Sequence, residues 1–288
     1  MRFPRFGFAI AACCLAVCIP SHASQPQASC TFTPFSAPPG YILSMVNGID
    51  DSGTVVGQLQ DQNNQFVAFT RDASGNFTIF KAPKSAMTWF SHRSVGVNVG
   101  SYLDNAQAPA MHGLAQQGAN FTVVNYPKAS NTWVAGINNS GAVVGSYLNG
   151  TTSKGFLLAN GKYTMIAHSG AVSTTPYAIS DTGTVVGYFI DSKTHGFIWK
   201  GGTFTVVDNP RSVHGTVLTD VNTSGVVVGN RLSGDNAWGF IYKGNTFYSV
   251  VYSGAKSASV GGINNNGVIT GQLFYTLKNQ PGYTAVCK

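Results

Sequence analysis

The chain has 288 residues, of which only 9% are charged, and all of its acidic residues are aspartate. Its formal charge of +7 is spread without a run of lysine or arginine, which argues against a nucleic-acid-binding surface. The 34 glycines, together with many Thr, Val, Ser and Asn residues, exclude a mainly helical protein and favour a β-rich, turn-rich one.

Residues 1–23 are predicted to be a secretory signal peptide. Two arginines precede an apolar run over residues 6–20, and a small-residue cleavage pattern follows. A lipoprotein box at Cys13 or Cys18 is the less favoured alternative, because the apolar core before either cysteine is very short. We therefore expect a secreted or periplasmic protein without a membrane span, in which residues 24–29 form a short linker.

Two cysteines, Cys30 and Cys287, follow the predicted signal. An isolated pair of cysteines in an exported protein is expected to form a disulfide.

A Val/Thr-Gly pair then recurs along the rest of the chain. Its glycines are Gly57, Gly100, Gly145, Gly187, Gly229 and Gly271, at intervals of 43, 45, 42, 42 and 42 residues. Another glycine lies four residues before each and ends a short polar turn such as Asn139-Ser140-Gly141. A glycine that closes an Asn/Asp/Ser turn between two β-branched runs is a hairpin signal.

Each repeat is predicted to contain four strands. In the third repeat these are Val134–Ile137, Ala142–Leu148, Gly155–Ala159 and Lys162–Ile166. Six such repeats predict an all-β fold, a six-bladed β-propeller of four-stranded blades over residues 30–288.

The sixth repeat ends after its third strand, Gly282–Cys287. Its missing fourth strand is found near the other end of the sequence, where Thr31–Phe35 matches segments such as Tyr163-Thr164 and Phe204-Thr205. We therefore predict that the N-terminal strand pairs with the C-terminal blade and closes the ring. The Cys30–Cys287 disulfide would then occupy the place of the hairpin turn between third and fourth strands.

The repeat motif Gly-Ile-Asn-Asn-x-Gly-x-Val-Val-Gly-x-Tyr at residues 136–147, with the third-strand motif His195-Gly196-Phe197, resembles the secreted bacterial HAF-repeat proteins. The resemblance covers essentially the whole chain after the predicted signal. It implies export and a repeated β architecture, and it brings no catalytic residues.

His92 and Arg93 interrupt the first-strand pattern of the second repeat. Aligned on the paired glycines, His92 falls where other repeats have Ile49, Ile137, Ile179, Val221 and Ile263. First strands are innermost in a propeller, so both residues are predicted to lie near the central channel. With His168 and His214, they are the candidate catalytic groups if the protein is an enzyme.

The segments before the first strands carry a second candidate set. A basic residue follows a proline in three of these segments, at Lys84, Lys128 and Arg211. Trp89 and Trp133 lie at equal distances after the prolines of their segments. Cations and tryptophan faces suit stacking and hydrogen bonding to a glycan.

We therefore expect a non-catalytic, monomeric secreted module that binds a polysaccharide or cell-surface polymer through its loop-rich face. A glycan lyase or hydrolase working near the channel is the alternative. No metal or cofactor motif is present in the sequence, so neither is expected.

Overall fold

A computed structural model describes residues 25–234, 236–276 and 280–288. The predicted signal peptide, residues 1–23, lies outside this part of the chain. Among the described residues, no helix is long and apolar enough to cross a membrane.

The described residues form 24 β-strands. They are β1 (Cys30–Phe35), β2 (Tyr41–Ile49), β3 (Val55–Asp61), β4 (Phe66–Arg71), β5 (Phe77–Phe80), β6 (Ser85–Ser94), β7 (Val97–Asp104), β8 (Met111–Gln117), β9 (Asn120–Val123), β10 (Thr132–Ile137), β11 (Val143–Asn149), β12 (Thr152–Ala159), β13 (Lys162–Ile166), β14 (Ser173–Ile179), β15 (Val185–Ile190), β16 (Thr194–Lys200), β17 (Thr203–Val206), β18 (Gly215–Val221), β19 (Val227–Ser233), β20 (Asn236–Lys243), β21 (Thr246–Ser249), β22 (Ser257–Ile263), β23 (Val268–Phe274) and β24 (Gly282–Cys287).

The strands fall into six antiparallel four-stranded units. Units one to five are β2–β5, β6–β9, β10–β13, β14–β17 and β18–β21, and unit six has the order β22, β23, β24, β1. We name the strands of each unit a to d in that order. Single parallel residue pairs, such as Ser153 with Ser173, link units one and two and join units three, four and five into larger sheets.

The strand that completes unit six comes from the other end of the described chain. β1 pairs antiparallel with β24, with Cys30 opposite Cys287, and these two residues form the predicted disulfide. Thr31 lies opposite Val286, just as Lys162 lies opposite Ala159 in unit three. The bridge therefore takes the position that the hairpin turn at Asn160-Gly161 has in that unit.

The predicted linker also makes backbone contacts. Ser249 at the end of β21 donates its N–H to the Pro26 carbonyl at 2.8 Å and accepts from the Ala28 N–H at 3.0 Å. These bonds cover part of the outer edge of unit five.

The recurring Val/Thr-Gly glycine is explained by close packing on strand b. Gly145 lies opposite Phe156, and a Cβ at Gly145 would lie 2.1 Å from the Trp133 carbonyl oxygen and 2.9 Å from the Phe156 ring. Any larger residue would separate strand a from strand b and displace the ring, which is fully buried. The corresponding strand-c residue is a fully buried large side chain in every unit. These residues are Phe69, Leu114, Phe156, Phe197, Phe240 and Tyr283.

The asparagine that follows the last isoleucine or valine of strand a both holds its own turn and contacts the next unit. The Asn222 side-chain oxygen accepts the backbone N–H groups of Ser224 and Val226, at 3.1 and 3.0 Å. Its Nδ2 donates to the Asn264 carbonyl of unit six at 3.3 Å. Asn264 in turn donates to the Asp50 carbonyl of unit one at 3.0 Å. The contact between units six and one thus repeats the contact between units five and six.

Candidate functional site

Each strand a contains a β-bulge near its middle, which turns one extra residue out of the ladder. The six bulge residues are Asn47, Ser91, Ala135, Tyr177, Thr219 and Gly261. All six line one cavity, of about 640 Å³, which we call the central cavity. Because every unit contributes to it, the cavity lies where the six first strands meet.

The described residues that line the central cavity include four tryptophan and tyrosine side chains and no Asp, Glu, Lys or Arg. Trp89 and Trp133, on neighbouring units, share the cavity with Tyr177 and Tyr188. Desolvation, together with the nearby Tyr188, raises the pKa of Tyr177 to about 12, so its hydroxyl stays neutral over the working pH range. Both tryptophans lie within a strand a, on β6 and β10, and not in the segments before these strands, where they are predicted from the sequence.

Amide side chains supply polar groups between the aromatic rings. They are Asn47, Gln58, Asn230 and Gln272. Both polar atoms of the Asn230 side chain have a protein partner, since Nδ2 donates to the Val260 carbonyl at 2.8 Å and Oδ1 accepts the Val260 N–H at 2.9 Å. The Nε2 of Gln272, in contrast, is buried and has no hydrogen-bond partner among the described residues. A buried donor without an acceptor is costly, so the cavity favours a polar occupant beside Gln272.

His92 lies between the central cavity and a second cavity on the opposite side. Its Nε2 is 3.4 Å from Oδ2 of Asp220, whose side chain is 2% exposed. Oδ2 of Asp220 also accepts the Ile263 N–H at 2.9 Å, and Oδ1 accepts the Val221 N–H at 2.8 Å. His92 is thus a lining residue of both cavities.

The register predicted for His92 and Arg93 is wrong by one residue. His92 lies opposite Val99, so its counterparts are Gly48, Gly136, Ala178, Asp220 and Gly262, and Arg93 takes the place of the isoleucines. The turn between strands a and b has one residue fewer in unit two than in the other units. Aligning the repeats on the glycine of this turn therefore displaced strand a of unit two by one position relative to the other first strands. Val95 and Gly96 form this turn with φ of 47° and 78°.

Four of the five counterparts of His92 are glycine or alanine, because strands a crowd together at this level. A Cβ at Gly136 would lie 2.8 Å from the Cα of Ala178, and one at Gly262 would lie 2.9 Å from the Cα of Gly48 and 3.2 Å from Asp220 Oδ2. The His92–Asp220 pair fills the space that these small residues leave.

The second cavity, of about 420 Å³, is polar and is lined by His92, Arg93 and Asp220 among others. Arg93 Nε donates to Asp50 Oδ2 at 2.7 Å, and Arg93 Nη1 donates to Asn98 Oδ1 at 2.8 Å. Arg93 therefore has a structural ion pair. In the described part of the chain, no group of three or more His, Cys, Asp or Glu side chains is arranged to hold a metal ion.

The other two candidate catalytic histidines line neither cavity. His168 stacks on Phe189 with ring centroids 3.8 Å apart, in the loop before β14. His214 is exposed in the loop before β18, where its backbone N–H donates to the Leu232 carbonyl at 3.0 Å.

Lys84, Lys128 and Arg211 are exposed and do not line the central cavity. Each is the third residue of a β-turn that precedes strand a, and the two lysines have φ of 57° and 64°. Gly40, Gly170 and Gly254 hold the same turn position in other units. The recurring position is thus set by turn geometry, and it carries a cation in three units.

No family model matches the chain, and no curated protein sequence is similar to it. Solved structures do resemble it. A triple arginine-to-alanine mutant of AofleA from Arthrobotrys oligospora has a TM-score of 0.59 at 11% identity, over 90% of this chain and 88% of that one. The Aleuria aurantia lectin, as a mutant in complex with Fucalpha1-6GlcNAc, has a TM-score of 0.54 at 10% identity, over 86% and 93%. The putative TolB from Agrobacterium tumefaciens has a TM-score of 0.55 at 10% identity, over 78% and 89%.

These similarities establish the fold class. The chain is an all-β protein with a β-propeller fold, as the repeat spacing predicts. At such low identity they say nothing about which residues act.

Proposed function

We propose that the protein is a non-catalytic saccharide-binding propeller whose binding site is the central cavity. The observation that carries this proposal is the cavity wall, which combines Trp89, Trp133 and Tyr177 with amide and hydroxyl side chains. Aromatic faces pack against the apolar faces of sugar rings, while amides exchange hydrogen bonds with the hydroxyl groups. The volume of about 640 Å³ lies within the ordinary range for small-molecule sites.

We propose further that the six units are six blades of one closed ring, exported from the cell and related to the HAF-repeat proteins. Support for closure comes from β1 completing unit six and from the hydrogen bond that Asn264 donates to Asp50 in unit one. Support for export comes from the Cys30–Cys287 disulfide, since disulfides persist in oxidising compartments.

A wall without Asp, Glu, Lys or Arg among its described residues favours a neutral sugar. His92 is a lining residue whose pKa is lowered by desolvation but raised overall, chiefly by the Asp220 carboxylate that its ring faces. A protonated His92 is therefore balanced within the protein, and a neutral ligand brings no new charge to the cavity.

The alternative is a glycan-cleaving enzyme, for which His92 would have to be the acid or base. His92 Nδ1 is enclosed by protein without a hydrogen-bond partner among the described residues, and Nε2 faces Asp220. A proton donor or acceptor must reach the reacting atom, and neither nitrogen is presented in that way. The geometry favours binding over catalysis.

The test is a screen of purified protein against an array of neutral glycans, followed by calorimetric titration of the best binder. Replacing Trp89 or Trp133 by alanine is expected to weaken binding about tenfold, which corresponds to ~1.4 kcal/mol.

Trp199→Phe is the matched control, because Trp199 is buried outside the central cavity and the change should leave affinity unaltered. Equal affinities of the wild type and both alanine variants would place the sugar elsewhere. Product analysis after prolonged incubation distinguishes the enzyme, since glycan cleavage that is lost in His92→Gln would refute the non-catalytic proposal.

A further inference from the structure

Unit five departs from units three and four in a stacked layer between strand b and the loop before strand a. In unit three, Tyr126 of the loop stacks on Tyr147 with ring centroids 3.6 Å apart. In unit four, His168 stacks on Phe189 at 3.8 Å. In both units this level is thus filled by two stacked rings.

The corresponding positions of unit five hold Asn209 and Arg231. Asn209 donates its backbone N–H to the hydroxyl of Thr216 at 2.9 Å, the bond that His168 makes to Thr174 in unit four. Arg231 lies opposite Thr216, just as Phe189 lies opposite Thr174. An aromatic pair is therefore replaced by two nitrogen-rich side chains at an equivalent place in the fold.

Arg231 has no anionic partner among the described residues. Its guanidinium carbon lies 5.1 Å from the ring centroid of Trp238, the residue opposite it on strand c. Partial burial and then the positive charge of the nearby Arg211 lower the pKa of Arg231. Two cations are thus held near each other, and no described carboxylate lies within 4.0 Å of either.

Asn209 adds a buried donor that has no acceptor. The residue is 2% exposed, and its Nδ2 makes no hydrogen bond with any described residue. Its Oδ1 accepts the Arg211 backbone N–H at 3.0 Å, which ties the loop carrying Arg211 to this position. Buried amide groups are normally satisfied, so the free Nδ2 calls for an acceptor from outside the chain.

We propose that Asn209, Arg211 and Arg231 form a second ligand site, which binds the carboxylate or sulfate group of an acidic saccharide. Arginine and amide N–H groups can only donate, and an oxyanion accepts from several donors at once. Trp238 supplies the face on which Arg231 rests and an apolar surface beside the anion. None of the three donor residues lines the central cavity, so the site is separate from it.

The assignment of the anion to a saccharide rests on the proposed function. The two sites lie on opposite faces of strand β19. Successive side chains of a strand point to opposite faces, so Asn230 lines the central cavity and the next residue, Arg231, belongs to the second site.

The experiment is calorimetric titration of the full protein with uronate-containing and sulfated oligosaccharides and with their carboxyl-reduced or desulfated counterparts. We expect the acidic forms to bind more tightly and their affinity to fall with added salt. The double variant Arg211→Gln/Arg231→Gln should weaken binding of the acidic forms about tenfold and leave the neutral forms unchanged.

The matched control is Lys162→Gln/Lys200→Gln, which removes two positive charges at exposed hairpin turns and should have no such effect. Arg211→Gln alone changes an exposed side chain and keeps the test valid if the double variant unfolds.

Equal affinity for acidic and neutral forms, or unaltered binding by the variants, would overturn the site. Competition by free inorganic sulfate as strong as by the sulfated sugar would also overturn it, by indicating an anion site without saccharide recognition. If neutral glycans still bind in those cases, the proposed function stands.

Discussion

His92 and Asp220 meet from two different units at a level where other units have glycine or alanine. Desolvation lowers the pKa of His92, but the attraction of Asp220, aided by Asp50 and Asp181, outweighs it and leaves the pKa above its ordinary value of 6.5. A raised pKa in the folded state means that the pair stabilises the protein fully below the unfolded-state pKa. That contribution is lost as the pH rises through the folded-state pKa.

Asp220→Asn is therefore expected to lower the free energy of unfolding most at mildly acidic pH, by about 3–5 kcal/mol, because a buried imidazolium loses its counter-charge. Denaturant titrations at mildly acidic pH and at clearly alkaline pH, compared with each other, measure the effect. His92→Gln and the double variant complete the cycle, and the coupling energy should be larger at the lower pH. A coupling that is the same at both pH values would show that charge is not what joins the two residues.

At the scale of the structural element, the turn between strands a and b is also the joint between units. One asparagine side chain satisfies two N–H groups of its own turn and one carbonyl of the neighbouring unit, as Asn222 does. The same residue therefore sets the local turn and the packing of the next unit.

Asn222→Ala should lower the free energy of unfolding by about 2 kcal/mol, because two backbone N–H groups of its own turn and the buried Asn264 carbonyl of the next unit lose their partner. Ser224→Ala, in the same turn but exposed, is the control and should change stability by less than about 0.5 kcal/mol. Thermal and denaturant unfolding of both variants measure the difference. Similar values for the two would mean that the asparagine has no role between units.

The regular elements could be predicted from the sequence because their signals are local. The polar turns and the glycine spacing located the four strands of unit three, and the Thr31–Phe35 match located the partner of β24.

The site was predicted only in part. Trp89 and Trp133 recur visibly, whereas Tyr177 reaches the cavity through a bulge that no sequence pattern marks. Asp220 escaped notice because the shorter turn of unit two hid its equivalence with His92.

At the scale of the whole molecule, the disulfide fastens a sheet whose strands lie far apart in sequence. Cys30 and Cys287 are separated by 257 residues. On the chain-entropy model, a crosslink that closes so long a loop stabilises the fold mainly by restricting the unfolded chain.

Cys30→Ser/Cys287→Ser should therefore lower the free energy of unfolding by up to about 5 kcal/mol. Wild-type protein treated with a thiol reductant should match the variant in denaturant unfolding, which separates loss of the bridge from effects of the new side chains. Intact-mass analysis after alkylation reports the thiols directly. Two alkylated cysteines in the untreated wild type would contradict the assignment of the bridge.

The pairing of β1 with β24 also fixes an order of events during synthesis. β1 leaves the ribosome early, but its partner is translated 257 residues later, measured between the paired cysteines. In the meantime Phe32 lacks Tyr283, against which its ring packs at 5.0 Å in the finished sheet. A nascent chain must therefore keep this strand apart from other exposed edges, and contacts of such long range slow folding. Unit six can be completed only once β24 has been made, so it is the last of the six to acquire all its strands.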